Sequence, residues 1–248
     1  MINFKIVVPA YNCQEWIKKT ISSIRNQSYK NFECLLIDDI SNDNTYEQMK
    51  IHSSGDSRFS CVLNTEKKFA LKNLIDGFEK ISQNPDDVLI TVDGDDWLAN
   101  ENVLQKVADC YNNTDCLMTY GSFVEFPSGI THSYYLSAYD NYVVSNNLFR
   151  NVPWKASHLR TFKKKLWQNI KSVDLIDPET NKHYEVAWDL AFMFPMLEMA
   201  AERSKHIADL LYVYNKENPL SDMYIKEKQQ LKIAKFIRNK NKYNRLDL

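Results

Sequence analysis

Runs of consecutive apolar residues alternate along this chain with segments whose apolar residues recur every three or four positions. That alternation predicts strands buried on both faces, separated by amphipathic helices. Lys5-Ile6-Val7-Val8 predicts a first strand, stopped by Pro9; Trp16, Ile17, Ile21 and Ile24 then mark one face of a helix, with Lys18, Lys19 and Arg25 on the other. Phe32 to Ile37 predicts a second strand ending in Asp38-Asp39, followed by a Ser41-Asn42-Asp43-Asn44-Thr45 turn able to cap the next helix. Phe59 to Leu63 predicts a third strand, a helix over about 66–81 turns Leu71, Leu74, Ile75, Phe78 and Ile81 inward, and Val88 to Val92 predicts a fourth strand. Asn100 caps a helix with Val103, Leu104, Val107, Ala108 and Tyr111 inside, and Cys116 to Phe126 is another strand. There the rhythm breaks. Residues 127–160, rich in Tyr, Asn and Ser, predict a loop or lid; Phe162 to Trp167 predicts a short amphipathic helix, 187–201 a helix containing Pro195, and Leu210 to Tyr214 a last short strand.

Strands alternating with helices make a mostly parallel sheet, and ligands of such sheets collect at the strands' carboxyl ends. Three polar sets fall there: Tyr11, Asp38-Asp39, and Asp93-Gly94-Asp95-Asp96-Trp97. The last places three carboxylates within four positions at the end of a buried strand. Such a cluster needs a cation, and carboxylate oxygens select Mg²⁺ or Mn²⁺, which share their shell with phosphates. Gly94 would let the backbone pass close to a ligand. The plainer alternative is an acidic turn before the helix near Asn100.

With 248 residues the chain is long enough for one large α/β domain, and its 44% hydrophobic content is that of a globular protein. A net charge of -1 gives no global attraction to nucleic acid. The five cysteines lack zinc-type spacing and read as buried thiols of a reducing compartment. Met1 leads straight into a strand and no apolar run approaches a membrane span, so a cytoplasmic protein is expected. The first glycine is Gly55, which excludes a glycine-rich dinucleotide turn or P-loop after the first strand.

Val7-Val8-Pro9-Ala10-Tyr11-Asn12, Leu36-Ile37-Asp38-Asp39 and Asp93-Gly94-Asp95-Asp96-Trp97, in that order and spacing, resemble the GT-A fold of nucleotide-diphosphosugar transferases, and more narrowly the family 2 inverting glycosyltransferases. The likeness continues through Ser157 to Phe162, around Asp189 and in Leu211 to Tyr214. It implies an α/β GT-A fold with a mostly parallel nucleotide-binding sheet and C-terminal acceptor-side helices. It implies that Pro9, Ala10 and Tyr11 line a base pocket, that Asp39 accepts a hydrogen bond from the base imide N–H, and that Asp93 meets the ribose. Asp95, with Asp96 nearby, would hold Mn²⁺ or Mg²⁺ against the diphosphate; His158 would complete the metal shell or touch the phosphates, and Arg160 would touch them too. Lys72 stands where many relatives have Arg, keeping the charge without the two-pronged contact. Asp189 falls on the position of the catalytic base, with Trp188 where a Glu is usual and Pro195 where Arg is frequent.

The resemblance implies metal-dependent transfer with inversion from a nucleotide-sugar donor, UDP-sugar first, to a glycan, lipid-linked or protein-linked hydroxyl. The Gln-x-x-Arg-Trp motif and membrane spans of processive relatives are missing, so transfer of one or a few sugars is expected. Two other classes compete: a sugar-phosphate nucleotidyltransferase, which would want a glycine-rich phosphate loop, and a non-catalytic nucleotide-sugar-binding module. The expected organisation is a glycosyltransferase domain over 1–218, its nucleotide half 1–100 and acceptor half 101–218, with a basic helical extension over 219–248. The window 226–245 holds eight basic residues and one acid, a balance of +7, which fits a solvated helix or peripheral contact with a membrane.

Overall fold

The computed structural model describes residues 1–220 and 226–246. The first half alternates as its apolar pattern dictates: β1 (Phe4–Ala10), α1 (Ile17–Arg25), β2 (Phe32–Asp38), α2 (Thr45–Ser53), β3 (Phe59–Leu63), α3 (Phe69–Ile81) and β4 (Val88–Thr91). Then come β5 (Trp97–Leu98), α4 (Val103–Asn113), β6 (Met118–Phe126), α5 (Asn141–Ser145), β7 (Arg160–Lys163) and α6 (Lys164–Trp167). A small hairpin, β8 (Ile176–Asp177) and β9 (Lys182–His183), precedes α7 (Trp188–Ala200), β10 (Ser204–Asn215) and α8 (Glu227–Arg238).

One sheet of eight strands runs β3-β2-β1-β4-β7-β6-β10-β5. The pairs β3-β2, β2-β1, β1-β4 and β6-β10 are parallel, while β7 runs against both its neighbours and β5 against β10. Alternate side chains feed two cores. Val7 and Leu89 join α3 and α7 on one face; Phe4, Ile6, Val8, Val88 and Ile90 join α1 and α4 on the other. Gly77 lets α3 lie close on β1, since a Cβ there would stand 2.7 Å from Val7 Cγ1.

Three elements differ from the sequence reading. Pro9 does not stop β1, which continues to Ala10. Pro9 presents its carbonyl, and hence its absent N–H, to the β4 side, where Gly94 N–H donates to Pro9 O; the β4 ladder has already ended at Val7 and Thr91, so no strand hydrogen bond is lost. The helix expected over Phe162 to Trp167 begins as β7: Thr91 pairs with Arg160 and Leu89 with Phe162, and sheet pairing overrides the amphipathic pattern of so short a segment. β10 begins six residues before Leu210, because Ser204, Lys205 and His206 pair with Met118, Thr119 and Tyr120 of β6 despite their polarity. The 127–160 segment is not bare loop either, since it carries α5 and two short 3₁₀ turns.

Of the extension expected over 219–248, residues 221–225 and 247–248 lie outside the described residues. The remainder packs onto the domain: Ile233 and Ile237 of α8 are buried, Arg238 Nη1 donates to the carbonyls of Arg150 and Val152, and Leu246 N–H donates to Met199 O. Among the described residues no helix is long and apolar enough to cross a membrane.

Candidate active site

The carboxyl ends of β1, β2 and β4 open into a cleft of about 890 Å³, whose far wall is built from β10, α7, α8 and the 127–160 segment. Pro9, Ala10, Tyr11, Asp39, Asp93, Asp95, Asp96, His158, Arg160 and Asp189 all line it. Lys72 does not: its ammonium is paired with Asp76 one turn along α3, and Lys67 and Asn73 face the cleft instead. At position 72 the helical i,i+4 ion pair holds the charge that would have to turn toward a ligand.

Asp39 is nearly buried, and its oxygens collect donors from the start of α3: Oδ1 accepts from Asn64 Nδ2 and Lys68 N–H, each at 2.8 Å, and Oδ2 from Phe69 N–H at 2.9 Å. Burial pushes its carboxyl up, but these hydrogen bonds together outweigh that and hold it below the ordinary range. Tyr11, 40% exposed, carries the Lys67 ammonium over its ring.

Behind the β4 turn the acids separate by environment. Gly94 matters less for a ligand's approach than for the fold, because a Cβ there would fall 2.6 Å from the Ala10 Cβ. Asp96 is sealed in: Oδ1 accepts from Asn215 N–H at 2.7 Å, while Oδ2 has no hydrogen-bond partner among the described residues. Burial first, and the neighbouring charges of Asp95 and Asp93 next, push its carboxyl well up. Asp93 is held below its usual range, burial being offset by the His158 hydrogen bond and by the charges of His158 and Arg160.

His158 is clamped between aromatic rings, stacked on Tyr212 at 4.5 Å and on Tyr214 at 5.5 Å, and met edge-on by Phe123. Burial first, and the Arg160 charge next, hold its basicity below the ordinary range against the opposing pull of Asp93 and Asp189. Its Nδ1 lies 3.1 Å from Ser157 Oγ and its Nε2 3.7 Å from Asp93 Oδ2.

Ligand atoms of Asp93, Asp96 and His158 lie within 4.8 Å of one another, a set able to hold a metal ion. The partnerless, sealed Asp96 oxygen and the mutually repelling acids are what a divalent cation would satisfy, so these residues fit one. The structure gathers Asp96 and His158, expected as ligands, with Asp93, expected at the ribose, while Asp95, also expected as a ligand, lines the same cleft and accepts from Asn218 Nδ2 at 2.7 Å.

Arg160, at the head of β7, donates through Nη2 to Asp189 Oδ2 at 3.2 Å; its own Nε and Nη1 are buried without partners among the described residues. Asp189 sits in the first turn of α7, whose N-cap is Ala187 at φ 49°, so the carboxylate is not spent as a side-chain cap. Trp188 stacks on Phe192 and lies 5.5 Å from the Arg160 guanidinium carbon. Lys67, Asn215, Asn218, Tyr134, Tyr135 and Trp154 also line the cleft and were not picked out from the sequence. Asn215 and Asn218 follow directly on the Leu211 to Tyr214 likeness, and the Lys67-Lys68 pair just before α3 was the one visible signal for Lys67.

The model of the family described as Glycosyl transferase family 2 matches residues 5–178. Glycosyltransferase GlyA of Streptococcus pneumoniae is 28% identical over 181 residues, covering 67% of this chain and 25% of that protein. The Escherichia coli UDP-Glc:alpha-D-GlcNAc-diphosphoundecaprenol beta-1,3-glucosyltransferase WfgD is 32% identical over 119 residues, covering 48% of this chain and 44% of that protein. The chain thus spans less than half the length of either relative. Among solved structures, S. aureus TarS 1-349 in complex with UDP-GlcNAc superposes with a TM-score of 0.68 at 14% identity, covering 95% of this chain and 65% of that one. That likeness is one of fold, and the fold is GT-A. Because the family match runs over residues 5–178, more than half of the chain, and takes in the β1, β2 and β4 termini, His158 and Arg160, the chain belongs to glycosyl transferase family 2.

Proposed function

We propose that this enzyme moves a single sugar, with inversion, from a nucleoside diphosphate donor, UDP-sugar first, to a carbohydrate hydroxyl. The observation that carries this reading is Arg160: a buried guanidinium that spends one nitrogen, Nη2, on Asp189 and leaves the other two, Nε and Nη1, unpartnered among the described residues beside the Asp93–Asp96–His158 cluster. Unpaired buried donors next to a cation-ready acid set are what the two ends of a diphosphate require. A divalent ion held by Asp93, Asp96 and His158 would offset the charge that develops on the leaving diphosphate, Mn²⁺ suiting the imidazole in the set better than Mg²⁺. A solved mannosyltransferase of the same fold, from Pyrobaculum calidifontis, is in complex with GDP-Man and Mn2+ (TM-score 0.63).

On the chain's side, Tyr11 offers a face to the base and Asp39 an acceptor to its N–H. Arg160 steers the diphosphate and orients Asp189 in one gesture. Asp189 takes the proton of the attacking hydroxyl on the face away from the leaving group. The wall formed by Tyr134, Tyr135, Trp154 and Trp188 supports a sugar acceptor, since pyranose rings lie against aromatic faces. The outer side of α8, with exposed Leu231 and Phe236 among Lys228, Lys232 and Lys235, supports peripheral contact with an anionic bilayer and so a lipid-linked acceptor.

The test uses the purified full chain with Mn²⁺ and a panel of UDP-sugars, first by thermal shift for donor choice and then by product formation. Asp189→Asn is expected to lower kcat by about 10²–10⁴-fold with donor affinity unchanged. Transfer by this variant at the parent rate would remove Asp189 from the chemistry, and a product retaining the donor's anomeric configuration would remove the inverting mechanism.

A further inference from the structure

The floor of the base pocket holds a cation of the chain's own. Lys67 Nζ stands 2.8 Å from the centre of the Tyr11 ring, 3.4 Å from Asp39 Oδ2 and 3.2 Å from the Asp39 carbonyl oxygen, to which it donates. A carboxylate oxygen has about two acceptor sites. Oδ1 fills both with Asn64 Nδ2 and Lys68 N–H, whereas Oδ2 accepts only Phe69 N–H at hydrogen-bond length and turns its second site toward the more distant ammonium. That second site, over the Tyr11 face, is where an incoming base N–H would arrive.

We infer that Lys67 is a specificity-determining residue of the nucleotide pocket, its ammonium keeping the base slot when empty and donating to a base carbonyl when full. The inference rests on the nucleotide-sugar reading above. A stacking base must push Nζ off the ring. Lys67 is bound to the backbone of Lys68 and Phe69, which Asp39 grips through both N–H groups, so its side chain shifts toward the base edge and does not leave the pocket. There the pair offers an acceptor, Asp39, beside a donor, Lys67. Uracil and thymine match it with a ring N–H flanked by carbonyls, and guanine matches with one N–H and one carbonyl. Cytosine and adenine would set a ring nitrogen lone pair against the carboxylate and an amino group against the ammonium, both repulsive.

The experiment is calorimetric titration of the full chain, at fixed Mn²⁺, with UDP and with CDP, for the parent, Lys67→Met and Lys67→Arg. The parent is expected to prefer UDP. Lys67→Met, which keeps the stem and loses the charge, should weaken UDP about tenfold and narrow the preference over CDP, while Lys67→Arg should restore it. Equal melting temperatures of the unliganded proteins, the result expected for a side chain 32% exposed, would exclude misfolding. Unchanged or tighter UDP binding by Lys67→Met would overturn the inference and leave the nucleotide-sugar reading standing. Failure of the parent to bind either nucleotide would overturn both.

Discussion

At the scale of single residues, the sequence exposes charge more readily than it exposes partners. Asp39, Asp93, Asp95, Asp96 and Asp189 stand out because acids at the ends of apolar runs are visible in one dimension. Which acid is sealed and which is open is set by groups far along the chain: Asn215 N–H on Asp96 and Asn218 Nδ2 on Asp95 come from more than a hundred positions away, and no local pattern announces them. The same holds for Asp39, whose carboxylate closes the start of α3 through Lys68 and Phe69 N–H groups. Its carboxyl is depressed from the ordinary value of 3.8, so it contributes stability above that value and loses the contribution as pH falls through its lower folded-state value. Asp39→Asn should therefore cost about 1.5–3 kcal/mol near neutral pH, the worth of hydrogen bonds to a charged group. The difference between parent and variant should shrink as the pH drops below about 4. Urea denaturation across that range checks it; a gap constant with pH would mean the ionised carboxylate is not what holds α3.

At the scale of elements, α7 shows why one helix is legible while its neighbours are not. Its apolar residues run all round, from Leu190 to Ala200, which marks it as a central helix, and one residue breaks the run: Glu198, 0% exposed. Its answer is Arg150, in a segment that looks aperiodic in sequence. Nε reaches Glu198 Oε1 at 2.5 Å and Nη2 reaches Oε2 at 2.9 Å, and the same carboxylate accepts Tyr243 N–H at 3.0 Å. A two-pronged buried pair is thus the joint between α7, the 127–160 segment and the tail. Glu198→Ala leaves a buried guanidinium uncompensated and is expected to destabilise by about 3–5 kcal/mol. Chemical denaturation measures the loss, and trypsin should then cut residues 239–246 early. An unaffected midpoint would mean that the joint is ornamental. The sequence reads β7 as helix and β10 as shorter than it is for a related reason: Arg160, Ser204, Lys205 and His206 are polar, and only their sheet partners make them strand.

At the scale of the molecule, the strands β1 to β4 and their parallel run are readable in the sequence because they are built by local alternation, whereas the far wall of the cleft, the proposed acceptor wall, is assembled from pieces that share no rhythm. His132, Tyr134, Tyr135 and Trp154 come from the 127–160 segment, Glu185 from just before α7 and Trp188 and Asp189 from its first turn, Tyr214, Asn215, Lys216 and Asn218 from the end of β10 and the residues after it, and Lys226 and Gln230 from the start of α8. A ligand that spans this cleft therefore touches segments tied to one another through Arg150, Glu198 and Arg238. Binding to the native state alone stabilises the fold by mass action, about 2.7 kcal/mol at a hundredfold excess over Kd. Donor plus Mn²⁺ should then raise the melting temperature and slow trypsin at two separate places, within 127–160 and within 226–246, although neither belongs to the nucleotide half. UDP with Mn²⁺, which lacks the sugar, should raise the melting temperature and protect the two segments less than the intact UDP-sugar does, because the sugar is the part that reaches the acceptor wall. Mass spectrometric mapping of the cuts distinguishes the cases: protection confined to residues 1–100 would mean that the acceptor wall opens and closes independently of the donor, and that the tail, however firmly it packs, takes no part in holding the substrate.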